Sequence, residues 1–239
     1  MLLSLLDILV SDPFLFLRLF PIMIGIVGIS VLTAITIHEF SHATVAYLLG
    51  DSVAHHQGRV SLNPFHHLDR AGTLMILLIG FGWGKPVQFN PNEIRFGRTG
   101  IALVAMAGPI SNFFTSAVIA FLVKTNVISL DSGLGVSLIR VLEDPTNLLV
   151  WIVGITTTTF SISILLGIFN LLPIAPLDGF QASLAIAPRP IAIFLQRYNQ
   201  YGMLLLFGII GADIIFGTGF LNAIIQPVTE GITNLLIKS

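Results

Sequence analysis

The chain of 239 residues contains no cysteine and few charged side chains. The absence of cysteine excludes disulfide bonds and thiolate ligands, so a bound metal ion would need histidine, aspartate or glutamate. Charged residues make up 10% of the sequence and hydrophobic residues 54%, whereas soluble domains carry about 25% charged residues. This composition excludes a water-soluble globule and predicts an all-α membrane protein, a multi-spanning helical bundle.

Charge of one sign and targeting features are also missing. The formal net charge of −1 gives no indication of a nucleic-acid partner, and we expect none. Segment 1–12 is apolar but has no basic beginning and no small-residue cleavage site. We therefore expect it to be retained and to lie in the membrane interface. There is no internal repeat.

Apolar stretches long enough to form membrane helices recur along the chain. Ser11-Asp12-Pro13 predicts a helix start, and Pro21 is expected to kink the first helix or to mark the start of its span. About four full spans are predicted, at 13–49, 99–123, 148–169 and 203–216. The segment 220–238 contains several polar residues and is predicted to lie at the interface.

The region between the first two spans is irregular. The apolar segment 73–81 is too short to cross the bilayer, so we predict a re-entrant half-helix. Residues 80–87 are rich in glycine and predict a small β-hairpin beside it. Such backbone at membrane depth requires surrounding protein or a water-filled cavity.

Lysine and arginine are distributed unequally over the two sides of the predicted bundle. Most lie on the side where the first span ends, and the positive-inside rule makes that side cytoplasmic. The residues on that side are Arg59, Arg70, Lys85, Arg95, Arg98, Arg189 and Arg197, against Arg18, Lys124 and Arg140 on the other.

A His-Glu-Phe-Ser-His motif at 38–42 interrupts the first apolar stretch. His38 and His42 are four positions apart, so a helix projects both from one face, where they could bind one Zn²⁺. Glu39 lies beside them and could accept a proton from water. A carboxylate at the centre of a membrane helix costs about 3 kcal/mol, which makes an idle charge improbable.

A catalytic zinc ion requires a third protein ligand. Asp178 is the best candidate because Pro173 and Pro176 break the preceding helix and Gly179 allows a close turn. Asp213, within the fourth apolar stretch, is the one serious rival. Other acidic residues belong to polar connections.

Two further polar groups remain open to alternatives. Asn112 either forms a hydrogen bond that packs helices beside Gly108-Pro109 or donates to a substrate carbonyl. Paired histidines in the polar loop could form a second metal site, although solvated or interfacial positions are favoured; they are His55, His56, His66 and His67.

These motifs together resemble the site-2 protease family of intramembrane zinc metalloproteases. The matching pieces, in the order of that family, are HEFSH at 38–42, GRVSLNPFHHLDRAGT at 58–73, FGWGKPV at 81–87, AGPISN at 107–112 and NLLPIAPLDG at 170–179. The resemblance implies that His38, His42 and Asp178 bind one zinc ion, that Glu39 is the catalytic glutamate and that Asn112 assists near the metal. It also implies a membrane-associated hairpin beside the substrate. The PDZ and CBS domains of that family have no room here.

We expect one integral-membrane domain over 1–239, with a catalytic core at 20–200 that the resemblance covers. The distribution of lysine and arginine predicts an active site nearer the cytoplasmic face of the cell membrane. The expected substrate is a membrane protein with a transmembrane helix, hydrolysed within or next to that helix. An edge strand at 87–89 could hold the unwound substrate. The alternative is a non-proteolytic membrane scaffold that retains the zinc site; a metal transporter is disfavoured because no repeat is found.

Overall fold

The computed structural model describes residues 9–69, 72 and 84–237. Within them lie eight α-helices and one 3₁₀ turn at Pro64–His66. The helices are α1 Pro13–Leu48, α2 Val53–His56, α3 Arg98–Lys124, α4 Leu134–Glu143, α5 Leu148–Asn170, α6 Asp178–Ile186, α7 Arg189–Phe216 and α8 Phe220–Ile237. The described residues contain no strand, and an isolated antiparallel bridge joins Leu68 to Gly84.

Three of these helices, α1, α3 and α5, are long and apolar enough to cross a membrane. The predicted fourth span is not confirmed. Helix α7 begins with a polar half that contains Arg189 and Arg197. Its apolar remainder at 203–216 would be about 21 Å long, which is short of the roughly 30 Å of a hydrocarbon core.

The beginning of α1 follows the sequence prediction. The Asp12 side chain accepts a hydrogen bond from the Leu15 amide at 3.0 Å, and Pro13 occupies the first helical position. Pro21 lies inside the helix, so the helix does not begin there. At 36 residues, α1 would be about 54 Å long, so it must tilt or extend beyond the bilayer.

Several predicted features lie wholly or partly outside the described residues. These are the half-helix at 73–81, most of the hairpin at 80–87 and the N-terminal segment up to residue 8. The β-hairpin is therefore not confirmed, and residues 85–90 have no regular secondary structure.

Small polar residues join the three long helices. Ser30 of α1 donates a hydrogen bond to the Ile155 carbonyl of α5 at 3.0 Å. Ser116 of α3 donates to the Phe160 carbonyl of α5 at 3.1 Å. Both serines are fully buried. Such side chains let membrane helices approach closely and supply the interhelical hydrogen bonds that apolar packing lacks.

The C-terminal helix α8 packs along the same bundle. Its Ile225 and Ile232 contact a buried apolar cluster that includes Phe160 and Ile164. Helix α8 is not among the three helices that meet the criteria for a span. Its interfacial placement stays a prediction.

Helix α6, which begins at Asp178, is fastened at both ends. Gly179 lies so close to the preceding chain that an added Cβ would be 2.2 Å from the Leu171 carbonyl oxygen. At the other end, the Arg98 guanidinium donates to the carbonyls of Leu184, at 2.8 Å, and Ala187. The start of α3 therefore fixes the helix whose first residue is Asp178.

Candidate metal centre

Three side chains from two distant parts of the sequence converge inside the bundle. His38 Nε2 lies 3.0 Å from Asp178 Oδ2 and 3.1 Å from His42 Nε2, and His42 Nε2 lies 3.1 Å from the same oxygen. His38 and His42 are buried, and Asp178 is half-buried. In the part of the chain that the structure describes, this is the one cluster of three or more histidine or acidic side chains able to hold a metal ion.

The outer nitrogen of His42 has a defined partner. Its Nδ1 lies 2.7 Å from the Val104 carbonyl oxygen of α3. A carbonyl only accepts, so Nδ1 must carry the proton. In the neutral imidazole the Nε2 lone pair is then free and points towards the other two ligand atoms. This arrangement is typical of metal-binding histidines, whose second nitrogen donates to the protein.

Asn112 plays the corresponding part at His38. Its fully buried side-chain amide lies against the His38 ring, with Nδ2 3.0 Å from Nδ1. The other amide atom, Oδ1, is buried without a hydrogen-bond partner among the described residues. Turning the amide by 180° would let Oδ1 accept a hydrogen bond from the Nδ1–H group of His38. The Nε2 lone pair would then be free for a cation. The missing partner of Asn112 Oδ1 and the requirement for an unprotonated His38 Nε2 in a metal site thus indicate the same amide orientation.

Gly108 forms the wall behind the two imidazoles. An added Cβ at this position would lie 2.3 Å from His42 Nε2 and 2.5 Å from His38 Nε2. Both distances are too short for any side chain, so helix α3 can approach the ligand atoms only because residue 108 is glycine. Gly108 and Asn112 are four apart and therefore share one helix face.

Glu39 lies on the next position of α1 and is partly buried. The backbone at Gly84 passes beside it. An added Cβ at Gly84 would lie 3.4 Å from Glu39 Oε1 and 3.0 Å from the side chain of Ile35. The carboxylate therefore lies on the helix that carries His38 and His42 and is bordered by the backbone at Gly84.

The rival third ligand, Asp213, is engaged elsewhere. Its Oδ1 accepts hydrogen bonds from the Thr218 hydroxyl and, at 2.7 Å, from the Phe220 amide, so it caps the start of α8. It is not part of the ligand cluster.

The paired histidines bind backbone or stack on rings. His66 Nδ1 lies 2.7 Å from the Gly58 carbonyl oxygen, and His67 Nε2 lies 2.7 Å from that of Ser61. His55 stacks on Tyr47. His67 is fully buried, and burial lowers its pKa. These histidines form no second metal cluster within the described ranges, and His67 is buried in protein instead of solvated.

Sequence reasoning missed the contributions of Val104 and Gly108. The backbone carbonyl of Val104 carries no residue-specific signature. The i, i+4 spacing of Gly108 and Asn112 was visible and could have indicated a face turned towards the histidines.

Comparison with known proteins gives two similar sequences. A protein of Bacillus subtilis (strain 168) named "Putative zinc metalloprotease YwhC" is 29% identical over 231 residues, which cover 95% of each chain. A protein of Mycolicibacterium smegmatis named "Putative zinc metalloprotease Rip2" is 31% identical over 157 residues, covering 63% of this chain and 53% of that protein. No family model and no solved structure matches the chain. The resemblance to zinc metalloproteases that the motifs predicted is confirmed.

Proposed function

We propose that this chain is an intramembrane zinc metalloprotease that hydrolyses peptide bonds within or next to the transmembrane segments of membrane proteins. The observation that carries the proposal is the convergence of His38, His42 and Asp178 on one point, with Glu39 the next residue of α1 after His38. The names of the two similar proteins support metalloprotease chemistry. Three helices able to span a membrane support its location.

The donor set fits one zinc ion. Catalytic zinc sites use three histidine or carboxylate ligands at about 2.0–2.2 Å and keep one position open, so their ligand atoms lie about 3.3 Å apart. The three ligand atoms here are 3.0–3.1 Å apart. Two further features support the same assignment. Gly108 leaves room for the ligand atoms, and the Val104 carbonyl accepts a hydrogen bond from His42 Nδ1. His38, His42 and Asp178 would hold the ion.

A zinc ion in this site would supply a Lewis acid, which polarises a carbonyl and lowers the pKa of water. Glu39 is then the general base that accepts a proton and the general acid that returns it to the leaving amine. Asn112 acts through His38, because its amide contacts the ring nitrogen that faces away from the cluster. We therefore assign it as a positioning residue and not as a donor to the substrate carbonyl.

The substrate helix must unwind before hydrolysis, because its peptide groups are hydrogen-bonded to one another. The segment at 84–89 supports capture of an unwound strand, since Gly84 pairs with Leu68 and lies beside Glu39, and the Lys85 amide bonds the His67 carbonyl. The distribution of lysine and arginine supports an active site nearer the cytoplasmic face.

Glu39→Gln tests the proposal against the scaffold alternative. Candidate single-pass membrane proteins are co-expressed with wild type or with the variant, and fragments are sized. We expect cleavage to fall at least about 100-fold, the usual contribution of a general acid–base. Zinc content of the purified protein should remain one ion per chain. A variant that retains the cellular function of the wild type would support the scaffold, and equal cleavage by both would exclude the role of Glu39.

A further inference from the structure

Arg59 is a fully buried arginine in the loop that follows α2, with 2% of its surface exposed. Its guanidinium donates to three backbone carbonyls. Nη1 bonds the His66 carbonyl, and Nη2 bonds the carbonyls of Lys85 at 2.8 Å and Pro86 at 2.9 Å. The Arg59 side chain therefore joins the loop at 58–67 to the segment at 84–86.

A buried guanidinium is expensive unless its donors are satisfied. Here Nη1 and Nη2 are hydrogen-bonded, and Nε is buried without a partner among the described residues. Arginine suits this position because its planar fork can bond several carbonyls at once, which a lysine ammonium cannot do with the same geometry. Burial lowers the pKa of Arg59, and the negative charge of Glu39 opposes that effect.

Backbone contacts also join these two segments, and they lie closer to the metal centre. The Lys85 amide donates to the His67 carbonyl at 2.7 Å, and Leu68 pairs with Gly84. Gly84 in turn lies beside Glu39. The segment that Arg59 fastens is thus the one that borders the proposed general base.

We propose that Arg59 is a positioning residue that holds segment 84–89, whose first residue lies beside Glu39, and so presents its Val87–Phe89 edge to the substrate. This role rests on the proposed function only for its consequence in cleavage. The positioning itself is a property of the loop and can be measured without a substrate.

Hydrogen exchange on the full-length, zinc-loaded protein in lipid nanodiscs tests the positioning. In Arg59→Leu, amide exchange at 84–89, read at the Lys85 amide that donates to the His67 carbonyl, should be at least about tenfold faster than in wild type, because several hydrogen bonds to a charged group are lost. Arg59→Lys should be intermediate. Arg95→Leu is the matched control, since Arg95 is an exposed arginine beside Gly50 at the end of α1, and it should behave as wild type. Zinc content should be unchanged in all variants.

Two results would overturn the proposal. One is unchanged exchange at 84–89 in Arg59→Leu. The other is acceleration spread evenly over the helices or accompanied by zinc loss, because Arg59 would then support the whole fold. If wild type cleaves no candidate substrate, the proposed function fails, whereas the exchange measurement still decides the role of Arg59.

A rescue experiment uses the lack of cysteine in the chain. Gln57 Nε2 lies 3.4 Å from Gln88 Oε1, so cysteines at these two positions can be joined by a short bifunctional thiol reagent. In Arg59→Leu, this tether should restore slow exchange at 84–89 and most of the cleavage. Restored exchange without any gain in cleavage would show that the segment does not serve the substrate.

Discussion

In the metal cluster, side chains of α1 and α6 contact one another against the wall of α3, whereas in segment 84–89 the backbone is held by one guanidinium and a few backbone bonds. The cluster is built on helices whose own hydrogen bonds fix the positions of its side chains. The segment has no regular secondary structure. Changes in the cluster should therefore act on metal affinity, and changes in the segment should act on cleavage with the metal retained.

The largest effect is expected from Asp178→Asn. The substitution removes the only anionic ligand from the cluster, so zinc affinity should fall by more than the roughly 10–100-fold caused by losing an outer partner. Competition with a chromogenic chelator measures the affinity, and cleavage should be lost with it.

Asp213→Asn is the control for that change, because Asp213 also lies in an apolar stretch but caps α8. It should bind zinc as wild type does. Equal affinities for Asp178→Asn and wild type would remove Asp178 from the ligand set.

Gly108→Ala should damage the cluster from behind. The new methyl group would lie within 2.5 Å of both Nε2 atoms, and neither imidazole can retreat easily because both are buried and hydrogen-bonded at Nδ1. We expect about 100-fold weaker zinc binding and a loss of roughly 1–3 kcal/mol in the free energy of unfolding.

Gly28→Ala provides the matched control within a membrane helix, since an added Cβ there has no heavy atom within 4 Å. Its zinc affinity should be unchanged, and it should not be destabilised. Tight zinc binding by Gly108→Ala would mean that the wall yields, contrary to the geometry.

The difference between the two regions also explains what the sequence could predict. His38, His42 and Asp178 were identifiable because imidazoles and carboxylates are rare in apolar stretches, and the prolines before Asp178 indicated where a helix must break. The anchors of segment 84–89 were not identifiable, because Arg59 and His67 bind backbone carbonyls. Every residue has such a carbonyl, so no pattern of side chains indicates which of them will be bound.

Asn112→Leu should have a smaller effect on the metal than either change above. It leaves His38 Nδ1 without its partner, and the loss of such an outer hydrogen bond weakens metal binding about 10–100-fold. Asn112→Asp should retain most of the zinc affinity because a carboxylate oxygen can accept a hydrogen bond from the Nδ1–H group of His38. Equal weakening in both variants would contradict the amide orientation in which Oδ1 faces the ring.

Val87→Pro tests whether segment 84–89 binds a substrate strand. Proline removes the backbone N–H at this position, so a substrate strand would lose one hydrogen bond and cleavage should fall up to about tenfold. Zinc content should remain one ion per chain. Gln88→Ala keeps its N–H and serves as the control in the same co-expression experiment. Unchanged cleavage in Val87→Pro would exclude strand capture at this edge.

Ser30→Ala should have the smallest effect of these substitutions. It tests whether the stability of the helix bundle can change while the metal cluster and segment 84–89 stay intact. The change removes the hydrogen bond from α1 to the Ile155 carbonyl; such bonds between membrane helices contribute about 0.6 kcal/mol on average. Unfolding in mixed detergent should show a loss of that size, while zinc affinity and cleavage remain unchanged. Thr33→Ala is the control, because the Thr33 hydroxyl bonds the Ile29 carbonyl of its own helix and its loss breaks no contact between helices. If Ser30→Ala instead reduced zinc affinity, the contact between α1 and α5 would contribute directly to the geometry of the metal centre, and the separation of the cluster from the rest of the bundle would be wrong.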